Sequence, residues 1–144
     1  MKIEYRRGNV LESDIRHIVH GCNCRGVMGS GVARAIRDVY PQAYEDYLQE
    51  HNSHGLMLGN IIISVQDDGT VIYNALTQQR YGRDGQQYVS YWAIAETFSK
   101  IESFGVEAVA LPRIGAGLGG GDWHVISAII EDCLKTTQPV VYDL

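Results

Sequence analysis

Two stretches crowded with glycine constrain this chain more than any other feature. Each follows an apolar, strand-like run and leads into an amphipathic helix. The first is HGCNCRGVMGSGVARA, residues 20–35, and the second is PRIGAGLGGG, residues 112–121. Gly26, Gly29 and Gly31, and again Gly115, Gly117, Gly119, Gly120 and Gly121, permit backbone conformations closed to other residues and let a ligand approach the main chain. A loop that passes directly into a helix also presents N–H groups without intrahelical partners, and these favour an anion. Two such loops after neighbouring strands predict a grip on one diphosphate from opposite sides.

The rest of the pattern supplies the strands and helices around these loops. Apolar runs and alternation predict strands over residues 2–5, 17–21, 60–65, 70–76, 107–111 and 139–144. Helical spacing predicts helices over residues 31–40, 42–50 and 88–104, and a last one capped by Asp122 and running to about residue 135. Residues 67–69 (DDG) turn the third strand back as the fourth, and residues 77–87 (TQQRYGRDGQQ) form a polar loop. Strands and helices alternate without repeat or linker. The expected fold is one α/β domain over residues 1–144, with a mixed sheet between two helical layers.

Several other readings have the residues against them. His20, Cys22 and Cys24 stand at alternate positions and suggest a metal site. In a continuing strand they spread over roughly 13 Å, at about 3.3 Å per residue. One zinc with bonds of about 2.3 Å cannot bridge that span, and Cys-x-Cys is not the spacing of common zinc or thioredoxin-type motifs. Cys22 and Cys133 read as small buried hydrophobes. No metal and no cofactor are expected. Three cysteines make no even disulfide framework, which fits a reducing compartment. The longest apolar runs, such as Ile61 to Ile63, are too short to span a bilayer, and no apolar signal-peptide core follows Lys2. A soluble, cytoplasmic monomer is the expectation. The formal net charge of −5 argues against broad charge-driven binding to nucleic acid, so a nucleic acid enters only as a modified substrate. It does not exclude an anionic small molecule held by backbone N–H groups.

At the pieces RGNVL, IVHGCNCRGVMGSGVA, YPQAYEDY, LPRIGAGLGGGDW and VVYDL the sequence resembles the macrodomain family, which binds ADP-ribose. The resemblance runs the length of the chain. It is closest to the branch holding yeast-type ADP-ribose-1″-phosphate phosphatases, terminal ADP-ribose protein glycohydrolases, and antitoxins that remove ADP-ribose from DNA. It implies a three-layer α/β/α fold and a small-molecule ligand, ADP-ribose or its 1″-phosphate. Carried over by position, Asn9 faces the adenine amine, Val10 offers backbone contact and Tyr142 sits beside the base, with Gly8 also among the ligand-binding residues. Asn23 holds the distal ribose. Met28, Gly29, Ser30, Gly31 and Val32 line one side of the diphosphate, and Ile114, Gly115, Ala116, Gly117 and Leu118 line the other.

The resemblance also bears on the reaction. The glycohydrolase members use a lysine after the central hairpin, where this chain reads Leu76-Thr77-Gln78-Gln79-Arg80. Their partner aspartate falls at Gly119. Glutamine cannot form a Schiff base, so both departures weigh against the lysine mechanism. The phosphatase members share the Gly-Asn form of the first motif and the histidine of His-x-Cys-Asn-Cys. Near the distal ribose, His20 would serve as general acid or base, with Asn23 beside it. Asp84 would orient water, and Arg80 or Arg83 would face the phosphate. The leading expectation is a metal-independent phosphatase acting on ADP-ribose-1″-phosphate. The alternatives are a hydrolase that removes ADP-ribose from protein or nucleic acid, and a non-catalytic ADP-ribose reader.

Overall fold

The computed structural model describes residues 1–144. The strands are β1 (Glu4–Arg7), β2 (His17–Asn23), β3 (Ile61–Val65), β4 (Val71–Gln78), β5 (Ala108–Leu111) and β6 (Gln138–Asp143). The helices are α1 (Gly31–Val39), α2 (Pro41–Ser53), α3 (Tyr91–Ser103) and α4 (Trp123–Cys133). All six strands form one sheet in the order β1-β6-β5-β2-β4-β3. Only β3 runs antiparallel to its neighbour, through the hairpin around Gly69.

The two faces of the sheet carry different layers because alternate residues of a strand point to opposite sides. Val19, Tyr73, Ala75, Val109, Leu111 and Val141 pack with Ile94, Phe98, Ile101, Ile126 and Ile130 of α3 and α4. On the other face, Ile18, Ile72 and Ala110 pack with Ile36 and Ala43, while Cys22 and Leu76 pack with Met28 and Tyr47. The arrangement is the three-layer α/β/α sandwich with a mixed sheet that the sequence predicts. The run AVAL of β5 is apolar throughout because a parallel central strand is covered on both sides.

Element ends differ from expectation where loops bond to one another. β2 and β4 continue to Asn23 and Gln78, beyond the predicted ends. α3 begins at Tyr91 rather than residue 88, because the amides of Tyr88 and Val89 donate to the Gly119 carbonyl at 2.7 and 3.0 Å. Ser90 then caps the helix, its hydroxyl accepting from the Ala93 amide. β1 starts at Glu4, two residues later than predicted. No helix is long and apolar enough to cross a membrane.

Candidate functional site

A cleft of about 630 Å³ opens at the carboxyl ends of β2, β4 and β5. That volume suits a small-molecule ligand. One wall is the first glycine loop and the start of α1. The opposite wall is the second glycine loop. The two approach closely: a Cβ added at Gly31 would lie 4.0 Å from Leu118 Cδ1.

The first loop is held in shape by Asn23 and Tyr47. Asn23 Nδ2 donates to the Val27 carbonyl at 2.8 Å, and its Oδ1 accepts from the Arg25 amide at 2.9 Å. The buried Tyr47 hydroxyl lies 2.7 Å from the Asn23 carbonyl and 2.9 Å from Asn23 Oδ1, and it accepts from the Gly26 amide at 3.1 Å. Gly26 takes φ +79° against the His51 ring, where a Cβ would come within 2.7 Å. The loop delivers the chain to α1 with Ser30 at the cap position, and the Ser30 side chain makes no capping bond. The amides of Gly31, Val32 and Ala33 therefore have no acceptor within the protein. They present the positive end of the helix to the cleft.

The second loop is folded on itself rather than loose. The Gly121 amide donates to the Gly115 carbonyl at 2.8 Å and the Gly120 amide to the Gly117 carbonyl at 3.0 Å. The Gly119 carbonyl is taken up by Tyr88 and Val89, which ties the loop to the start of α3. The amides of Gly115, Gly117, Leu118 and Gly119 donate to no group of the protein. Open amides thus line both walls, an arrangement that holds an anion without net positive charge.

Of the residues predicted for the ligand, Asn23, Gly29, Ser30, Gly31, Val32, Ile114, Gly115, Gly117 and Leu118 line this cleft. The others do not. Met28 is 1% exposed and packs in the core with Tyr47 and Leu76. Ala116 is outside the lining. Gly8, Asn9, Val10 and Tyr142 cluster where β1 and β6 end. Asn9 Oδ1 caps a short turn by accepting from the Leu11 amide at 3.0 Å. Val10 is buried against Ile18 and Ile36. The Tyr142 hydroxyl pairs with Ser13 Oγ at 2.7 Å and accepts from Arg6 at 3.1 Å. The Gly8 amide donates to the Asp143 carbonyl at 2.7 Å.

His20, the residue expected to act in catalysis, lies buried within the packing between the sheet and α2. Alternation along β2 turns His20 to the same side as Ile18 and Cys22, under α2, and it is 1% exposed. Its Nε2 lies 2.6 Å from Asn74 Oδ1. Burial pushes its pKa down to about 4, only partly offset by the bond to Asn74, so the ring is neutral at ordinary pH. Asp84 is also outside the lining. Its Oδ1 accepts from the Tyr88 hydroxyl at 2.7 Å and the Gln86 amide at 3.3 Å, which hold its pKa below the usual carboxylate value. Arg80 lies over the Tyr88 ring, 5.9 Å from its centroid.

The lining contains residues that sequence reasoning missed, among them Gly21, Thr77, Gln78, Tyr81 and Arg113. Gly21 and Arg113 stand within the two glycine-rich stretches themselves, and the signal for Tyr81 was the polar, glycine-bearing run after β4. Arg83 and Arg113 are the cationic side chains of the lining, which holds no Lys, His, Asp or Glu. Arg113 is engaged by Asp143, at 2.7 and 3.1 Å, and lies between the rings of Tyr5 and Trp123. No group of three or more His, Cys, Asp or Glu side chains converges in a way that could hold a metal ion. Gly119 has no room for the family aspartate, since an added Cβ would meet the Gly115 carbonyl oxygen at 2.7 Å. Asp122 instead caps α4, accepting from the His124 amide at 2.9 Å.

Fold and cleft together define an α/β protein whose cleft, between two backbone loops at the carboxyl ends of parallel strands, presents open amides suited to an anion. Residues 19–130 match the Macro domain family, and the chain belongs to it. It is 27% identical over 143 residues to a DNA ADP-ribosyl glycohydrolase of Thermus aquaticus, covering 96% of this chain but 39% of that protein. It is 24% identical to an ADP-ribose 1″-phosphate phosphatase of Saccharomyces cerevisiae, covering 99% of this chain and 98% of that one. The structure of the macrodomain of Thermus aquaticus DarG superposes with a TM-score of 0.82 at 25% identity, covering 99% of this chain and 98% of that one. These named relatives are ADP-ribose-processing hydrolases.

Proposed function

We propose that this chain binds ADP-ribose in the cleft and acts as a phosphatase on ADP-ribose-1″-phosphate, giving ADP-ribose and phosphate. The observation that carries the reading is the pair of amide-lined walls, the open start of α1 facing the folded second glycine loop. Together they offer donors to both sides of a diphosphate. The full-length match to the yeast phosphatase supports the choice of substrate. Phosphoryl transfer relies mainly on positioning and charge stabilisation, so it does not require the lysine and aspartate that Gln78 and Gly119 leave out. Arg83 is the cation available to the transferred phosphoryl group, because Asp143 engages Arg113.

A second reading, a non-catalytic ADP-ribose reader, is favoured by a specific observation: no acid or base among Lys, His, Asp and Glu lines the cleft. One experiment separates the readings. Purified protein is given ADP-ribose-1″-phosphate, and phosphate release and product identity are followed with and without EDTA. Turnover unaffected by EDTA supports the phosphatase. Binding of ADP-ribose without turnover supports the reader. Release of ADP-ribose from modified DNA or protein, with the 1″-phosphate left intact, would overturn both in favour of a glycohydrolase.

A further inference from the structure

The floor of the cleft holds a polar group that none of the roles above uses. β2 and β4 pair in register up to Cys22 opposite Leu76, and the next pair is Asn23 opposite Gln78. Thr77 is therefore the extra residue of a bulge on β4, at the point where the two strands give way to the loops. Bulges of this kind re-aim a side chain beside a site.

The Thr77 side chain is 1% exposed and lines the cleft. Its Oγ1 is buried with no hydrogen-bond partner in the protein. Other buried threonines are satisfied locally: Thr97 donates to the Ile94 carbonyl at 3.1 Å and Thr137 to the Val106 carbonyl at 2.7 Å. The absence of a side chain at Gly21 makes room for the Thr77 hydroxyl. A Cβ there would stand 2.8 Å from Oγ1 and 3.1 Å from Ile114 Cγ1, on the second loop. Bulge, glycine and hydroxyl together place an unpaired donor and acceptor between the two walls. A buried hydroxyl left unpaired costs free energy, and a bound ligand oxygen would relieve that cost.

We propose that the Thr77 hydroxyl is a ligand-binding group, forming a hydrogen bond with an oxygen of the ribose–diphosphate part of bound ADP-ribose. This rests on the ADP-ribose reading above. The test is calorimetric titration of wild type, Thr77→Val and Thr77→Ser with ADP-ribose, alongside thermal melting of each unliganded protein. Thr77→Val should weaken binding about tenfold, the effect of losing one buried hydrogen bond. Its unliganded melting temperature should stay at or above that of wild type, because an orphaned hydroxyl is replaced by a methyl group. Thr77→Ser should bind within about threefold of wild type. If Thr77→Val does not fold, Thr77→Ser against Thr77→Ala isolates the same hydroxyl, and the same loss is expected. Parallel titrations with ADP locate the bond. A loss shared by both ligands puts it on the diphosphate, and a loss confined to ADP-ribose puts it on the distal ribose. Wild-type affinity in the variants that lack the hydroxyl overturns the assignment while leaving the ADP-ribose reading intact. Failure of wild type to bind ADP-ribose removes that reading and this one with it.

Discussion

His20 and Asn74 stand opposite one another on the parallel strands β2 and β4, with His20 Nε2 2.6 Å from Asn74 Oδ1. Asn74 Nδ2 donates to the Ala43 carbonyl of α2 at 3.2 Å, which leaves Oδ1 as the acceptor toward the ring. His20 therefore carries its proton on Nε2 and donates it. The pair ties the centre of the sheet to α2, on the face of β2 turned away from α3 and α4. The imidazole is thus part of the packing between the sheet and α2.

Replacing His20 with Ala should lower stability by about 2–4 kcal/mol, from lost packing and an unpaired Asn74 oxygen. Affinity for ADP-ribose should change less than threefold, roughly 0.6 kcal/mol or below. Denaturant unfolding and calorimetric titration of the same variant read the two quantities. Full stability with lost turnover would return His20 to the reaction.

The same residue sets a pH dependence. Its folded pKa is about 4 against an ordinary value of 6.5. Between those values the unfolded chain binds more protons, so stability rises with pH across this window. The contribution is fully present above pH 6.5 and is lost as pH falls toward 4, by up to about 3 kcal/mol. A His20→Gln protein should lack this part of the slope, and stability curves at pH 7, 5.5 and 4.5 compare the two.

Gly119→Asp would install a carboxylate on the second loop. The new Cβ would press on the Gly115 carbonyl oxygen, a backbone atom with little freedom to move. The expected result is a loss of about 1–3 kcal/mol in stability and weaker ADP-ribose binding, with no gain of glycohydrolase activity. A well-folded variant that releases ADP-ribose from a modified substrate would show that the second loop yields more easily than its hydrogen bonds imply.

Arg83→Ala should reduce turnover of ADP-ribose-1″-phosphate by about a hundredfold while changing ADP-ribose affinity by no more than about threefold, as expected for a cation acting on developing charge at the phosphoryl group. Steady-state kinetics and titration check the two halves. Equal losses in both would place Arg83 on the bound nucleotide instead.

Much of this protein is written locally in its chain. The strand–glycine–helix order recurs twice, and Asp122 before an amphipathic run caps α4 as expected. Apolar spacing marks nearly every element, because one-sided burial leaves a period in the sequence. The open amides of the two walls follow from glycine loops that lead toward helices, and Ser30 to Val32 and Gly115 to Leu118 were legible for that reason, except for Ala116. What the tertiary structure decided concerns pairs far apart in sequence. Alternation shows that His20 and Gly21 face opposite ways, but only tertiary packing buries His20 between Asn74 and α2. The bulge at Thr77 arises from how β4 pairs with β2, and its own residues do not announce it. Arg113, in the cleft lining, is engaged by Asp143, 30 residues away, a pairing that local sequence does not announce. The bonds of Asn9 to Leu11 and of Tyr142 to Ser13 and Arg6 likewise come from packing around the ends of β1 and β6. Local sequence settles which elements form, whereas long-range packing settles which side chains reach the ligand cleft.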